Sequence, residues 1–249
     1  MNVCTLGDLP IGHIPRVVGT VSSLDLLNRF PSLTETVCDI AEVRLDLIGD
    51  SSDWVSRSRA IEESGTPTIL TLRIVDEGGK CSATEEERLS IFQRALSIVS
   101  AIDVEFRSGL ASRLFPQVER VSKCLIVSYH DFTQTPALEK LEEVITEASA
   151  QASIVKVSTM IKAEADIKIL EELLMRKWPV PLCIIGMGSL GTSTRVNFPC
   201  LGSALTYGFL DSPSAPGQLS ARALMENLRQ KLPGYNEDLA IRHRAMQSL

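Results

Sequence analysis

Eight short apolar runs, amphipathic stretches between them and a length of 249 residues predict a (β/α)8 barrel, the TIM-barrel form of the α/β class. A doubly wound open sheet usually needs fewer strands and a reversal in their order. The 44% apolar content supplies a sizeable core and excludes a disordered chain. No stretch rich in Pro, Gly or Ser divides the sequence and no repeat recurs, so residues 1–249 are expected to form one catalytic domain.

The predicted strands are 16–21, 39–47, 66–74, 101–107, 124–130, 152–158, 180–186 and 203–207. Helical patterns separate them. Over 84–100, Thr84 with Glu87 three residues on has capping-box spacing, and over 135–150 Pro136 falls in the expected first turn. The first 15 residues lack a signal-peptide pattern, and no apolar run approaches the roughly 18 to 20 residues that cross a bilayer. The expected compartment is the cytosol, without a membrane partner. With 31 acidic against 25 basic residues the net charge is −6, which disfavours nucleic acid as a partner, although a local Arg cluster could hold a small anion. Six Cys lie far apart with no C-x-x-C pair and read as reduced, mostly packed thiols.

Several strands carry charge where a core should be. In Glu42-Val43-Arg44-Leu45-Asp46-Leu47, alternation puts Glu42, Arg44 and Asp46 on one face and the apolar residues on the other. A barrel strand turns its apolar face to the helices, so these charges point inward; an exposed strand with a solvated face is the alternative. Asp103, Glu105 and Arg107 repeat the pattern. Three more predicted strands run up to Arg73, His130 and Lys156, and in a barrel the active site lies where strands end.

Lys156 stands between Val155 and Val157. Inside a barrel its amine would be poorly solvated, easier to deprotonate and available to attack a carbonyl; on an edge strand it would face water. Of the three His, at 13, 130 and 243, only His130 closes a strong strand, which makes it the candidate acid/base group. A carboxylate that could orient it occurs in Arg73-Ile74-Val75-Asp76-Glu77-Gly78-Gly79, a turn after the third strand. Gly186-Met187-Gly188-Ser189-Leu190-Gly191 fits the spacing of a dinucleotide fingerprint, but it follows the seventh strand and no second strand completes the unit. It reads instead as an anion-binding turn, with Arg195 close by. The loop 212–218 carries hydroxyl and amide groups past the eighth strand.

The residues resemble the type I 3-dehydroquinate dehydratase family. The match runs through Glu42-Val43-Arg44, Arg73 to Gly79, Asp103-Val104-Glu105, Tyr129-His130-Asp131, Val155-Lys156-Val157, Met187-Gly188 to Arg195, and Ser214-Ala215-Pro216-Gly217-Gln218, nearly the whole chain. Their order and spacing together are specific. The resemblance implies that Lys156 forms an imine with the ring ketone of 3-dehydroquinate and that His130, oriented by Glu77, moves the protons. It places Glu42, Arg44 and Arg73 among the groups binding the substrate, with Arg195, Ser214 and Gln218 across the ring. It implies no metal and no organic cofactor, and the expected assembly is a homodimer. The family usually carries a substrate-contacting Ser at the end of the first strand, where this chain has Gly19-Thr20-Val21-Ser22; the register that would bring in Thr20 stays open. Two other functions remain possible: a class I aldolase-type barrel, which also needs a strand-borne lysine, and a barrel that binds a small acid without catalysis.

Overall fold

A computed structural model describes residues 4–49, 53–213 and 217–246, with side chains to residue 242. Runs rich in Val, Ile and Leu favour extended backbone and buried faces, and they form strands at all eight predicted places. The elements run as β1 (Cys4–Leu6), β2 (Leu9–Ile11), β3 (Arg16–Val21), α1 (Leu24–Arg29), β4 (Ile40–Arg44), α2 (Leu45–Ile48), α3 (Trp54–Glu63) and β5 (Thr68–Thr71). There follow α4 (Glu85–Ala95), β6 (Ala101–Glu105), α5 (Leu110–Arg120), β7 (Cys124–Asp131), α6 (Leu138–Ser149), β8 (Ile154–Met160) and α7 (Glu164–Met175). β9 (Leu182–Met187), α8 (Thr194–Cys200), β10 (Leu205–Phe209), α9 (Ala221–Lys231) and α10 (Pro233–Met246) complete the order.

Strands β3 to β10 pair in parallel in the order β10-β3-β4-β5-β6-β7-β8-β9. The ring is nearly closed. Across the seam between β9 and β10, the Ala204 N–H donates to the Leu182 carbonyl at 2.7 Å, and the Ile184 N–H to Ser203 Oγ at 3.0 Å. This is a (β/α)8 barrel. The β7–β8 ladder sets Ser128 opposite Lys156 and His130 opposite Ser158, so two polar residues of each strand share the inner face.

Alternation sorts the apolar residues into two cores. Val43, Val104, Val127, Val155 and Val157 point outward and pack with helix residues such as Trp54, Phe92 and Leu170. Ile40, Ile69, Ile126 and Ile154 point inward and pack with Leu6, Leu9 and Ile11 of the β1–β2 hairpin. That hairpin, absent from the sequence expectation, plugs the N-terminal end of the barrel. Across the same end lies α10, where Tyr235 donates to Asp39 at 2.7 Å, Arg242 pairs with Asp39 and buried Arg16 pairs with Asp238.

Some expectations need correction. The strand predicted over 39–47 stops at Arg44 and turns directly into α2, so Asp46 leaves the inner face and pairs with Arg44 from beside it. Arg107 lies past the end of β6, exposed, with its guanidinium over the Tyr129 ring. Pro136 falls ahead of α6, which begins at Leu138. The six cysteines are not all thiols: Cys4 and Cys124 are joined, because the hairpin carries Cys4 to the first residue of β7. Thr84 and Glu87 do form the expected capping box at the start of α4. Among the described residues no helix is long and apolar enough to cross a membrane.

Candidate active site

At the C-terminal mouth the inward-facing residues surround a cavity of about 460 Å³. Glu42, Arg44, Arg73, Glu77, His130, Lys156, Arg195 and Gln218 all line it, joined by Thr20, Ser158, Phe132 and Tyr207. Ser214 lies outside the described residues. Eight of the nine site residues expected from the sequence thus meet at one place, although they come from six strand-to-helix units spread along the chain.

Lys156 is 5% exposed, which excludes the water-facing edge lysine. Its Nζ donates to Asp103 Oδ2 at 3.1 Å and lies 4.1 Å from the centroid of the Tyr207 ring. Asp103 is the hub beneath the cavity: its Oδ1 also accepts from Arg73 at 2.6 Å and from Ser128 Oγ at 2.7 Å. Burial opposes charge on Asp103, but Arg73 and Lys156 outweigh it and hold the carboxyl well below the usual range. Arg73 bonds further to Ser128 at 2.8 Å and pairs with Glu105 at 3.1 Å, and Glu105 pairs with buried Arg88. Burial works against the Arg73 charge as well, and the two carboxylates overcome it.

His130 extends from β7 one inward step nearer the mouth than Ser128, which is the partner of Lys156. Its Nδ1 meets Glu77 Oε2 at 2.8 Å. Burial, then the positive charges of Arg73 and Lys156, push the imidazole well below its ordinary value, so it is neutral at pH 7. Burial likewise pushes the Glu77 carboxyl up to about 7. An ionised Glu77 accepts the Nδ1 proton and leaves Nε2 with a free lone pair, the form required of a base. The Val75–Glu77 turn that presents Glu77 ends in left-handed Gly78, whose α-carbon faces the Phe132 ring so closely that a Cβ would stand 2.4 Å from it.

Glu42 is fixed by Thr20 at 3.2 Å and Thr71 at 2.9 Å. Arg44 is held by a bidentate pair with Asp46, at 2.9 and 2.8 Å. Arg195 differs from these. It is 7% exposed, its Nη1 donates to the Tyr207 carbonyl at 2.9 Å, its Nε has no partner, and no carboxylate among the described residues pairs with it. Burial alone lowers its pKa. An uncompensated guanidinium in a cavity is a receptor for a planar anion.

A family model described as Type I 3-dehydroquinase matches residues 17–232. The chain belongs to this family. The 3-dehydroquinate dehydratase of Methanocella arvoryzae is 36% identical over 216 residues, covering 86% of this chain and 96% of its relative. A solved 3-dehydroquinate dehydratase from Geobacillus kaustophilus shares the fold at a TM-score of 0.83 and 24% identity, covering 93% of this chain and 98% of that one. The Enterococcus faecalis enzyme of the same name is 26% identical with a TM-score of 0.79, covering 90% and 98%.

The one departure noted from the family pattern has a structural answer. Thr20 pairs in register with Glu42 and lines the cavity, so a hydroxyl does stand at the end of the barrel's first strand. The glycine turn after β9 is folded on itself: Thr194 Oγ1 accepts from the Gly186 N–H at 3.0 Å and donates to the Gly191 carbonyl at 2.6 Å. A Cβ on Gly191 would stand 2.4 Å from the Gly186 carbonyl carbon, so the turn needs glycine for close approach rather than for dinucleotide binding. Sequence reasoning marked Asp103 as an inward charge but gave it no part, and missed Ser128 and Tyr207 altogether. The inward parity that Ser128 shares with His130 was the available signal for it; an aromatic in an apolar strand reads as core.

Proposed function

We propose that the chain, as one catalytic domain over 1–249, dehydrates 3-dehydroquinate to 3-dehydroshikimate, the shikimate-pathway step named for its relatives, through an imine on Lys156. The observation that carries this reading is a buried amine and a carboxylate-backed neutral imidazole opening into one cavity, with Arg195 uncompensated beside them.

The neutral Lys156 amine adds to the ring ketone carbon, and the carbinolamine loses water to give a protonated imine. That cation draws electrons from the adjacent C–H bond. His130 removes the proton through Nε2, leaving an enamine, and returns it to the departing hydroxyl, so water leaves and a conjugated imine remains. Hydrolysis then frees the product and regenerates the amine. Proton transfer by His130 contributes on the order of 10²–10⁴-fold. Arg195 takes the substrate carboxylate with its planar fork, assisted by Gln218 and Ser214, while Glu42, Arg44 and Arg73 bind on the opposite side. Because Asp103 and Asp46 already occupy Arg73 and Arg44, these two contribute only their remaining N–H groups.

The test is borohydride reduction in the presence of 3-dehydroquinate, with the appearance of the conjugated enone followed by ultraviolet absorbance. A reduced adduct on Lys156 is expected, lost together with all turnover in Lys156→Ala. His130→Ala should still trap the adduct while dehydration slows; normal turnover in either variant contradicts the assignment. The working unit is read as a cytosolic homodimer. Sedimentation tests the assembly, and alkylation at the moment of lysis tests whether the Cys4–Cys124 link is open in the cell.

A further inference from the structure

Tyr207 turns its ring into the barrel from β10, and its face lies over the Lys156 nitrogen, 4.1 Å from the centroid. Its phenol oxygen is buried and has no hydrogen-bond partner among the described residues. Burial raises that phenol well above its ordinary range, so it stays neutral. The hydroxyl thus anchors none of the described residues. What Tyr207 offers the amine is the electron-rich face of the ring.

We propose that the Tyr207 ring is a catalytic contact that holds the positive charge of the protonated imine on the Lys156 nitrogen by cation–π attraction. The inference rests on the imine reading of Lys156. An ammonium has three N–H bonds to share, but a protonated imine keeps one. Asp103, 3.1 Å from the nitrogen on another side, can accept that single hydrogen. A second acceptor would then find no donor, whereas an aromatic face attracts the charge itself and needs no hydrogen directed at it. The site is also poorly solvated, which strengthens the attraction. A more persistent charge on the imine makes a better electron sink for the C–H bond that His130 breaks.

Other titratable groups face the nitrogen from the neighbouring elements: Asp103 on β6, Arg73 after β5, His130 on β7 and Cys183 on β9. Substitutions at 207 leave all four in place. The experiment replaces Tyr207 with Phe, with Leu and with phenylalanines of increasing ring fluorination, which keep the shape while weakening the face. It follows kcat against pH and the borohydride-trapped adduct.

Tyr207→Phe should hold kcat within about twofold, since the ring is kept. Fluorination should lower the alkaline limb of the kcat profile step by step, and Tyr207→Leu should cost about tenfold in kcat and move that limb down by about one pH unit. A limb that stays put across the fluorinated series, with the adduct still forming, overturns the proposal; so does a Phe variant as impaired as Leu, which would give the role to the hydroxyl. If Leu does not fold, the fluorinated series carries the test alone. A wild-type protein that traps no adduct overturns the imine reading itself, and this proposal with it, a failure distinct from an unshifted limb.

Discussion

Arg195 and Arg73 are both buried guanidinium groups at the barrel mouth, and their partners separate their tasks. Arg73 is shared among Asp103, Ser128 and Glu105 and secures the floor under Lys156, whereas Arg195 has charge to spare. Arg195→Lys loses the planar fork and should raise KM about tenfold with a smaller change in kcat. Arg113→Ala, which breaks only the exposed pair with Glu86, should leave both constants unchanged and serves as the control. Glu77 supplies a pH prediction. Its carboxyl at about 7 must ionise before it can accept the imidazole proton, so kcat/KM should fall below about pH 7, and Glu77→Gln should remove that limb along with part of the rate. The same shift has a stability consequence. A carboxyl raised from 4.5 to about 7 by folding binds its proton more tightly in the native state, so its stabilising contribution is full below about pH 4.5 and lost as pH rises to about 7. Asp103 acts in the opposite sense: its contribution is present above its ordinary value of 3.8 and disappears as acid protonates it. Lys156 and His130 were legible because a polar residue of fixed parity within an apolar strand has few explanations. Asp103 and Tyr207 were not, since their importance lies in what faces them across the barrel, and a strand pattern carries parity but no partner.

Elements with local causes were the easiest to read. The capping box of α4 is complete, with the Thr84 hydroxyl accepting from the Glu87 N–H and the Glu87 carboxylate from the Thr84 N–H at 2.8 Å, and four residues are enough to specify it. Thr84→Ala should cost about 1 kcal/mol in urea unfolding with little effect on kcat, because α4 packs outside the ring. The end of β4 was misread for the same reason that its middle was read correctly. Alternation runs on through Asp46, but the backbone departs from it at Arg44 (φ −83°, ψ 80°), and the bidentate Arg44–Asp46 pair spans the new corner. The β1–β2 hairpin was missed because its strands have three residues each, too short for any periodicity, and its apolar side chains find partners only inside the assembled barrel.

At the scale of the molecule, the Cys4–Cys124 link ties the hairpin to β7 over a sequence separation of 120 residues. Spacing in the chain could not reveal it, since only the fold brings these two sulfurs together. Cross-links of this kind typically stabilise by about 2–4 kcal/mol, so treatment with a reductant should lower the thermal midpoint of the wild type and leave a Cys4→Ser variant unaffected. Leu6, Leu9 and Ile11 seal the end of the ring that this link secures. Among the described residues the chamber therefore opens at the opposite end, where the strands finish. Substrate and product are then expected to share that passage in opposite directions, so that a departing molecule must clear the threshold before the next can enter. Accumulated product should accordingly compete with substrate for entry, which inhibition by added product in a steady-state assay would show.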